Sequence, residues 1–120
     1  MALSFEDFVR IISAELTPEE FENGVVYAAD SLISAGTTLP FPGTSIDVTT
    51  DSRLAFIDRD PMANWGHSSR YLLVNVDDGA LVSMESRRPP FQDGGGVCWR
   101  MIYQAPSVPN AAVALPQQTR

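Results

Sequence analysis

The chain contains no lysine; all its cationic residues are arginines. Schiff-base catalysis and a P-loop lysine are therefore excluded, and the choice fits a GC-rich coding bias. There is one cysteine, Cys98, and one histidine, His67. A single cysteine makes neither an internal disulfide nor a cysteine-based zinc site, and its scarcity fits a reducing, cytoplasmic setting. No apolar run approaches the ~20 residues of a membrane span, and the opening Met-Ala-Leu-Ser-Phe-Glu-Asp-Phe carries acids where a signal peptide carries bases. Positive charge is scarce as well: the net charge is -7 and the pI about 4.4. That balance argues against nucleic acid and against anionic membranes. It is compatible with a neutral or basic protein partner.

What is present describes a globular chain. Hydrophobic content of 44% and charged content of 19% over 120 residues suffice for a core. The acids are unevenly placed. The first 36 residues hold Glu6, Asp7, Glu15, Glu19, Glu20, Glu22 and Asp30 against Arg10 alone. Ser4 is an N-cap candidate, and Phe5, Phe8, Val9, Ile12 and Leu16 follow at helical spacing, predicting a helix over 4–16. Thr17-Pro-Glu-Glu20 is a capping-box start. Phe21, Val25, Ala28 and Leu32 extend its stripe towards Gly36, although Asn23-Gly24 is a potential break and Val25-Val26-Tyr27 suits a short strand.

Residues 37–45 hold Pro40, Pro42 and Gly43 and are expected to form a loop. The period then changes to two. Strands are expected at 46–48, 53–57, 70–76, 80–86 and 97–103, with Asp77-Asp78-Gly79 as a hairpin turn between the third and fourth. Apolar residues on both faces of 70–76 make that strand central. Val97, Trp99, Met101 and Tyr103 are expected on one side of the last strand. The resulting expectation is an α+β domain over residues 1–104, with N-terminal helices packed on a small antiparallel β-sheet of four or five strands. Residues 105–120, with Pro106, Pro109 and Pro116, are expected to form a disordered or loosely docked tail.

The segment richest in chemistry is Asp58-Arg-Asp-Pro-Met-Ala-Asn-Trp-Gly-His-Ser-Ser-Arg70, between two strands. Loops of this kind carry function more often than their scaffold. Asn64, Trp65, His67, Arg70 and Tyr71 form a candidate binding set, because an aromatic anchor beside arginine is the usual make-up of an interface hot spot. Asp58, Asp60 and His67 lack the oxygen spacing of a calcium loop and a fourth zinc ligand. No metal or cofactor is expected, and the two aspartates are expected to pair with Arg53, Arg59 or Arg70 or to cap the turn at Pro61. The alternative is an enzyme, a small hydrolase or transferase with Cys98 as nucleophile and His67 as base. Against it, a cysteine inside a β run is usually a small buried hydrophobe. The leading expectation is a non-catalytic binding or accessory protein for a peptide or protein partner, using the 58–70 loop and a sheet edge. The same edge allows a homodimer.

Overall fold

A computed structural model describes residues 3–41, 43–63, 66–90 and 96–113. Two short helices, α1 (Phe5–Glu15) and α2 (Pro18–Asn23), precede seven strands: β1 (Val25–Ala29), β2 (Thr38–Phe41), β3 (Thr44–Asp47), β4 (Ser52–Asp58), β5 (Ser69–Asn75), β6 (Leu81–Ser86) and β7 (Trp99–Gln104). Five of them form one antiparallel sheet in the order β6-β5-β4-β1-β7, and β2 and β3 form a separate hairpin. The class is mixed, with few helices and a dominant antiparallel sheet.

Register sorts the core into two faces. Tyr27, Phe56, Tyr71 and Met84 stand side by side across four strands, and so do Ala28, Ala55, Leu72 and Ser83 on the opposite face. Small alanines on the second face leave room for Phe8 and Ile12 of α1, which are buried against Val26, Ala55, Ile57 and Leu72. Ser4 caps α1 by accepting from the Asp7 N–H. The Leu3 N–H donates to Val76 O, and Arg53 Nε donates to Leu3 O, so the start of the helix is tied to the sheet. On the first face, Tyr71 lies between the rings of Phe56 and Phe41, at 4.9 and 5.0 Å. Phe41, Leu39 and Ile46 bring the β2–β3 hairpin over this aromatic layer.

The β5–β6 hairpin follows its sequence signal. Asp77 N–H donates to Asn75 Oδ1, Ala80 N–H donates to Asp78 Oδ1, and Gly79 takes φ +74°, a conformation that costs a glycine little. β5 lies between β4 and β6, with Tyr71 in one apolar cluster and Leu72 and Val74 in the other.

Two sequence expectations are corrected, and the start of the C-terminal segment is found packed. The second helix stops at Asn23, and Val25–Ala29 is a strand flanked by β4 and β7. The stripe Phe21, Val25, Ala28, Leu32 has helical spacing by coincidence; all five β1 residues are buried, which suits a β-branched and aromatic run. The expected loop at 37–45 contains most of the β2–β3 hairpin, where Pro40 sits on the exposed face of a two-stranded ribbon. The segment from 105 packs against the sheet as far as it is described. Ala105 and Val108 are buried, Ala105 N–H donates to Gly24 O, and Ser107 Oγ donates to Glu22 O. Residues 114–120 lie outside the described residues. A further difference is local: the β1–β7 register shifts between Val26 and Tyr27, so Tyr103 pairs with Val26 and packs against both apolar clusters. The bulge re-aims its ring to stack on Phe21 at 5.2 Å.

Two tests follow from this packing. At Gly24 an added Cβ would lie 2.6 Å from Glu20 O and 3.1 Å from Asp58 O, both backbone atoms. Gly24→Ala should therefore cost about 1–3 kcal/mol in urea unfolding; a variant within about 0.5 kcal/mol of wild type would contradict this close approach. A chain ending at Gln104 should melt several degrees lower, because it uncovers the surface that Ala105 and Val108 bury.

Candidate functional site

The site is built around an acid from α2. Thr17 Oγ1 accepts from the Glu20 N–H at 3.1 Å, and Glu20 Oε1 accepts from the Thr17 N–H at 2.9 Å, which closes the capping box. The box turns the Glu20 carboxylate inward, where it is fully buried. Two arginines meet it there. Arg70 donates from Nη2 to Oε1 at 2.8 Å and from Nε to Oε2 at 2.9 Å; Arg59 donates from Nε to Oε2 at 2.8 Å. Burial pushes the Glu20 carboxyl up, but the bonds from Arg70, the Thr17 amide and Arg59 outweigh it, and the net shift is downward.

Both guanidinium groups make further bonds. Arg70, itself buried, also donates to Glu15 O at the end of α1 and to Ser83 Oγ on β6. Arg59 donates from Nη1 to Glu85 Oε1 at 2.6 Å and from Nη2 to Glu85 Oε2 at 2.9 Å, with Ser68 Oγ 2.6 Å from Nη1. The Glu85 bonds hold the Arg59 guanidinium above its ordinary pKa, and Arg59 in turn holds Glu85 below the usual carboxylate range.

A second pair closes the neck of the 58–68 loop. His67 Nε2 lies 2.7 Å from Asp58 Oδ1; the Asp58 carboxylate is fully buried and the histidine side chain is 8% exposed. Asp58 Oδ1 also accepts from the Asp60 N–H at 3.1 Å, and Ala63 N–H donates to Asp60 O in the turn after Pro61. Asp58 Oδ2 is buried with no hydrogen-bond partner among the described residues. Burial pushes this carboxyl above the usual aspartate range, against the lowering influence of His67. Asp58 thus pairs with histidine and caps the turn, the Asp60 carboxylate does neither among the described residues, and Arg59 and Arg70 go to Glu20 and Arg53 to a backbone carbonyl.

Above these pairs lies an open cleft of about 940 Å³. Thr17, Pro18, Glu19 and Asn23 of α2 form one wall, residues 59–62 with Ser68 another, and Ser107 and Val108 a third. Met62 is 67% exposed at its rim.

The sequence-based binding set is divided by the fold. His67 is at the loop neck, Arg70 is in the buried ion cluster, and Tyr71 is fully buried in the aromatic layer, with its hydroxyl pushed above its ordinary pKa by burial. Asn64 and Trp65 lie outside the described residues. Cys98 is exposed and precedes β7, so it is not the buried strand residue its alternation implied. Nor does the fold bring it to His67. Val25 pairs with Asp58 at one end of β1, whereas Asp30 N–H donates to Cys98 O beyond the other; that length of strand spans about 16 Å. Among the described residues, no cluster of three or more His, Cys, Asp or Glu side chains is arranged to hold a metal ion. The sequence reading missed Glu20 as the partner of both arginines and missed Met62. The available signal was the capping box, which fixes the direction of the glutamate side chain.

The Glu20 cluster makes a signed pH prediction. The folded pKa of Glu20 lies below its ordinary 4.5, so its stabilisation is complete above that value and is lost as pH falls through the folded one. Asp58 has the opposite sign: its contribution is present below the ordinary 3.8 and is lost as pH rises through the raised folded value. Glu20→Gln should cost about 3–5 kcal/mol at pH 7, because it strands two buried or half-buried guanidinium groups. The gap to wild type in denaturant melts should narrow as pH drops below 4.5; a gap independent of pH would refute the assignment.

Comparison with protein-family models, curated proteins and solved structures found no match for this chain.

Proposed function

We propose that the protein is a non-catalytic binding module that receives a segment of a peptide or protein partner in the cleft between α2, the 58–68 loop and residues 107–108. The observation that carries this reading is the cleft itself. Its volume of about 940 Å³ matches recessed binding sites. Pro18, Pro61, Met62 and Val108 give it apolar surface, and an exposed methionine adapts to varied partner shapes. The ion pairs beneath hold its walls, so less ordering is needed on binding.

The acid and base groups around the cleft support binding over catalysis. Glu20, Arg59, Arg70 and Glu85 bond to one another, His67 is engaged with Asp58, and Cys98 is at the far end of the sheet. A second reading rests on β6, an outer strand of the large sheet, where Val82 is 54% exposed. An extended peptide, or β6 of a second copy, would add there by strand pairing.

Selection of short peptides against the folded protein, followed by amide chemical-shift mapping, tests both surfaces. Selected peptides should perturb residues 17–23, 59–62 and 107–108, and Met62→Ala should weaken binding about tenfold, or 1.4 kcal/mol, without lowering the melting temperature. Perturbations confined to 81–86 would favour the strand edge. Binding unchanged in Met62→Ala would remove the cleft from consideration.

A further inference from the structure

We propose that the cleft selects a basic, extended segment of its partner, one that presents arginine or lysine side chains between apolar positions; this rests on the cleft being the binding site. Glu19 and Asp60 line it from different walls, one on α2 and the other on the loop. Both side chains are exposed, and neither makes an ion pair or side-chain hydrogen bond among the described residues. The cation in the lining, Arg59, does not offset them. Its guanidinium is bonded to Glu20 and to both oxygens of Glu85, and Arg70 completes a cluster of two acids and two arginines that is neutral as a unit. Among the described lining residues, these two carboxylates are therefore the charges left without an ion-pair partner.

The apolar lining fits the same occupant. Arginine and lysine carry long aliphatic stems that lie along apolar surface while the charged head reaches a carboxylate. Pro18, Pro61 and Met62 line the cleft together with Glu19 and Asp60, so apolar surface for stems and carboxylates for heads share one cleft. A guanidinium can fork across either carboxylate. The surrounding chain extends the selection to longer range. The acids of the first 36 residues, Glu22 of α2 among them, attract a cationic segment during approach and repel phosphate-bearing or acidic ones. A second copy of this chain, at net charge -7, is a poor occupant for the same reason.

The test uses matched extended peptides that share their apolar positions and differ only in carrying Arg, Gln or Glu between them. Titrated into the intact protein and followed by amide shifts, the Arg peptide should bind at the cleft, the Gln peptide at least about tenfold more weakly, and the Glu peptide not measurably. Glu19→Gln combined with Asp60→Asn should weaken the Arg peptide about tenfold and flatten its salt dependence, with an unchanged melting temperature. Glu6→Gln combined with Asp77→Asn removes the same charge elsewhere and should leave binding unchanged. If that control loses as much affinity as the cleft pair, the attraction is only net charge and the inference fails. If the Gln peptide binds as tightly as the Arg peptide, with Met62→Ala weakening both, the cleft reading survives and the basic selection is wrong. If no peptide shifts the cleft residues, both fall.

Discussion

The carboxylate of Glu20 is where the helical layer, the loop and the sheet are joined. A fully buried charge is costly to desolvate, and an ion pair inside a protein repays that cost only when geometry is good and every lone pair is used. Here each oxygen accepts twice: Oε1 from Thr17 and Arg70, and Oε2 from Arg59 and Arg70. The arginines then carry the connection outward. Arg70 reaches the last carbonyl of α1, where a cation also complements the helix dipole, while Arg59 reaches Ser68 and β6. Helix ends, loop neck and outer strand thus share one anchor, and the cleft walls inherit their positions from it.

This arrangement separates two kinds of charge. The two buried acids are structural: Glu20 is neutralised by its arginines, and Asp58 is bonded to His67 and the Asp60 N–H. Glu19 and Asp60, a residue away from Glu20 and two from Asp58, are exposed and have no ion-pair partner among the described residues. Neighbours in sequence thus do opposite work, because the capping box turns Glu20 inward while the next residue back faces solvent. The aromatic layer beneath needs no charge at all. Tyr27, Phe56, Tyr71 and Phe41 fill it by ring packing, which leaves the polar residues to gather at the Val25–Asp58 end of the sheet.

Local chemistry was the legible part of the sequence. Ser4, the Thr17–Glu20 box and Asp78-Gly79 each act within a few residues, and each element formed where those signals place it. Strands β4, β5 and β6 came out within a residue or so of their alternating patterns. What failed depended on distant partners. Nothing near Val25 announces that it will be flanked on both sides, by residue 58 and residue 104, and its helical spacing with Phe21 therefore misleads. Glu20 lies 39 and 50 residues from its arginines, so composition shows that acids and arginines exist without showing which ones meet. Pro40 masked a hairpin because a two-stranded ribbon tolerates what a central strand would not. Arg70 and Tyr71 looked like surface chemistry because they open their strand directly after a polar loop, whereas both are buried by partners far away in sequence.

The position of β1 bears on how the chain is made. It is the second strand in from one side of the sheet, yet its two neighbours come from residues 52–58 and 99–104. During synthesis β1 can find β4 early, but its other edge stays open until the last strand has left the ribosome. For that interval an apolar Val-Val-Tyr-Ala-Ala edge is bare in the nascent chain, available to chaperones or to a neighbouring copy on the same message. Pairings between such distant segments also form slowly. The sheet is therefore closed on that side only when Trp99–Gln104 reaches an edge made as early as residue 29.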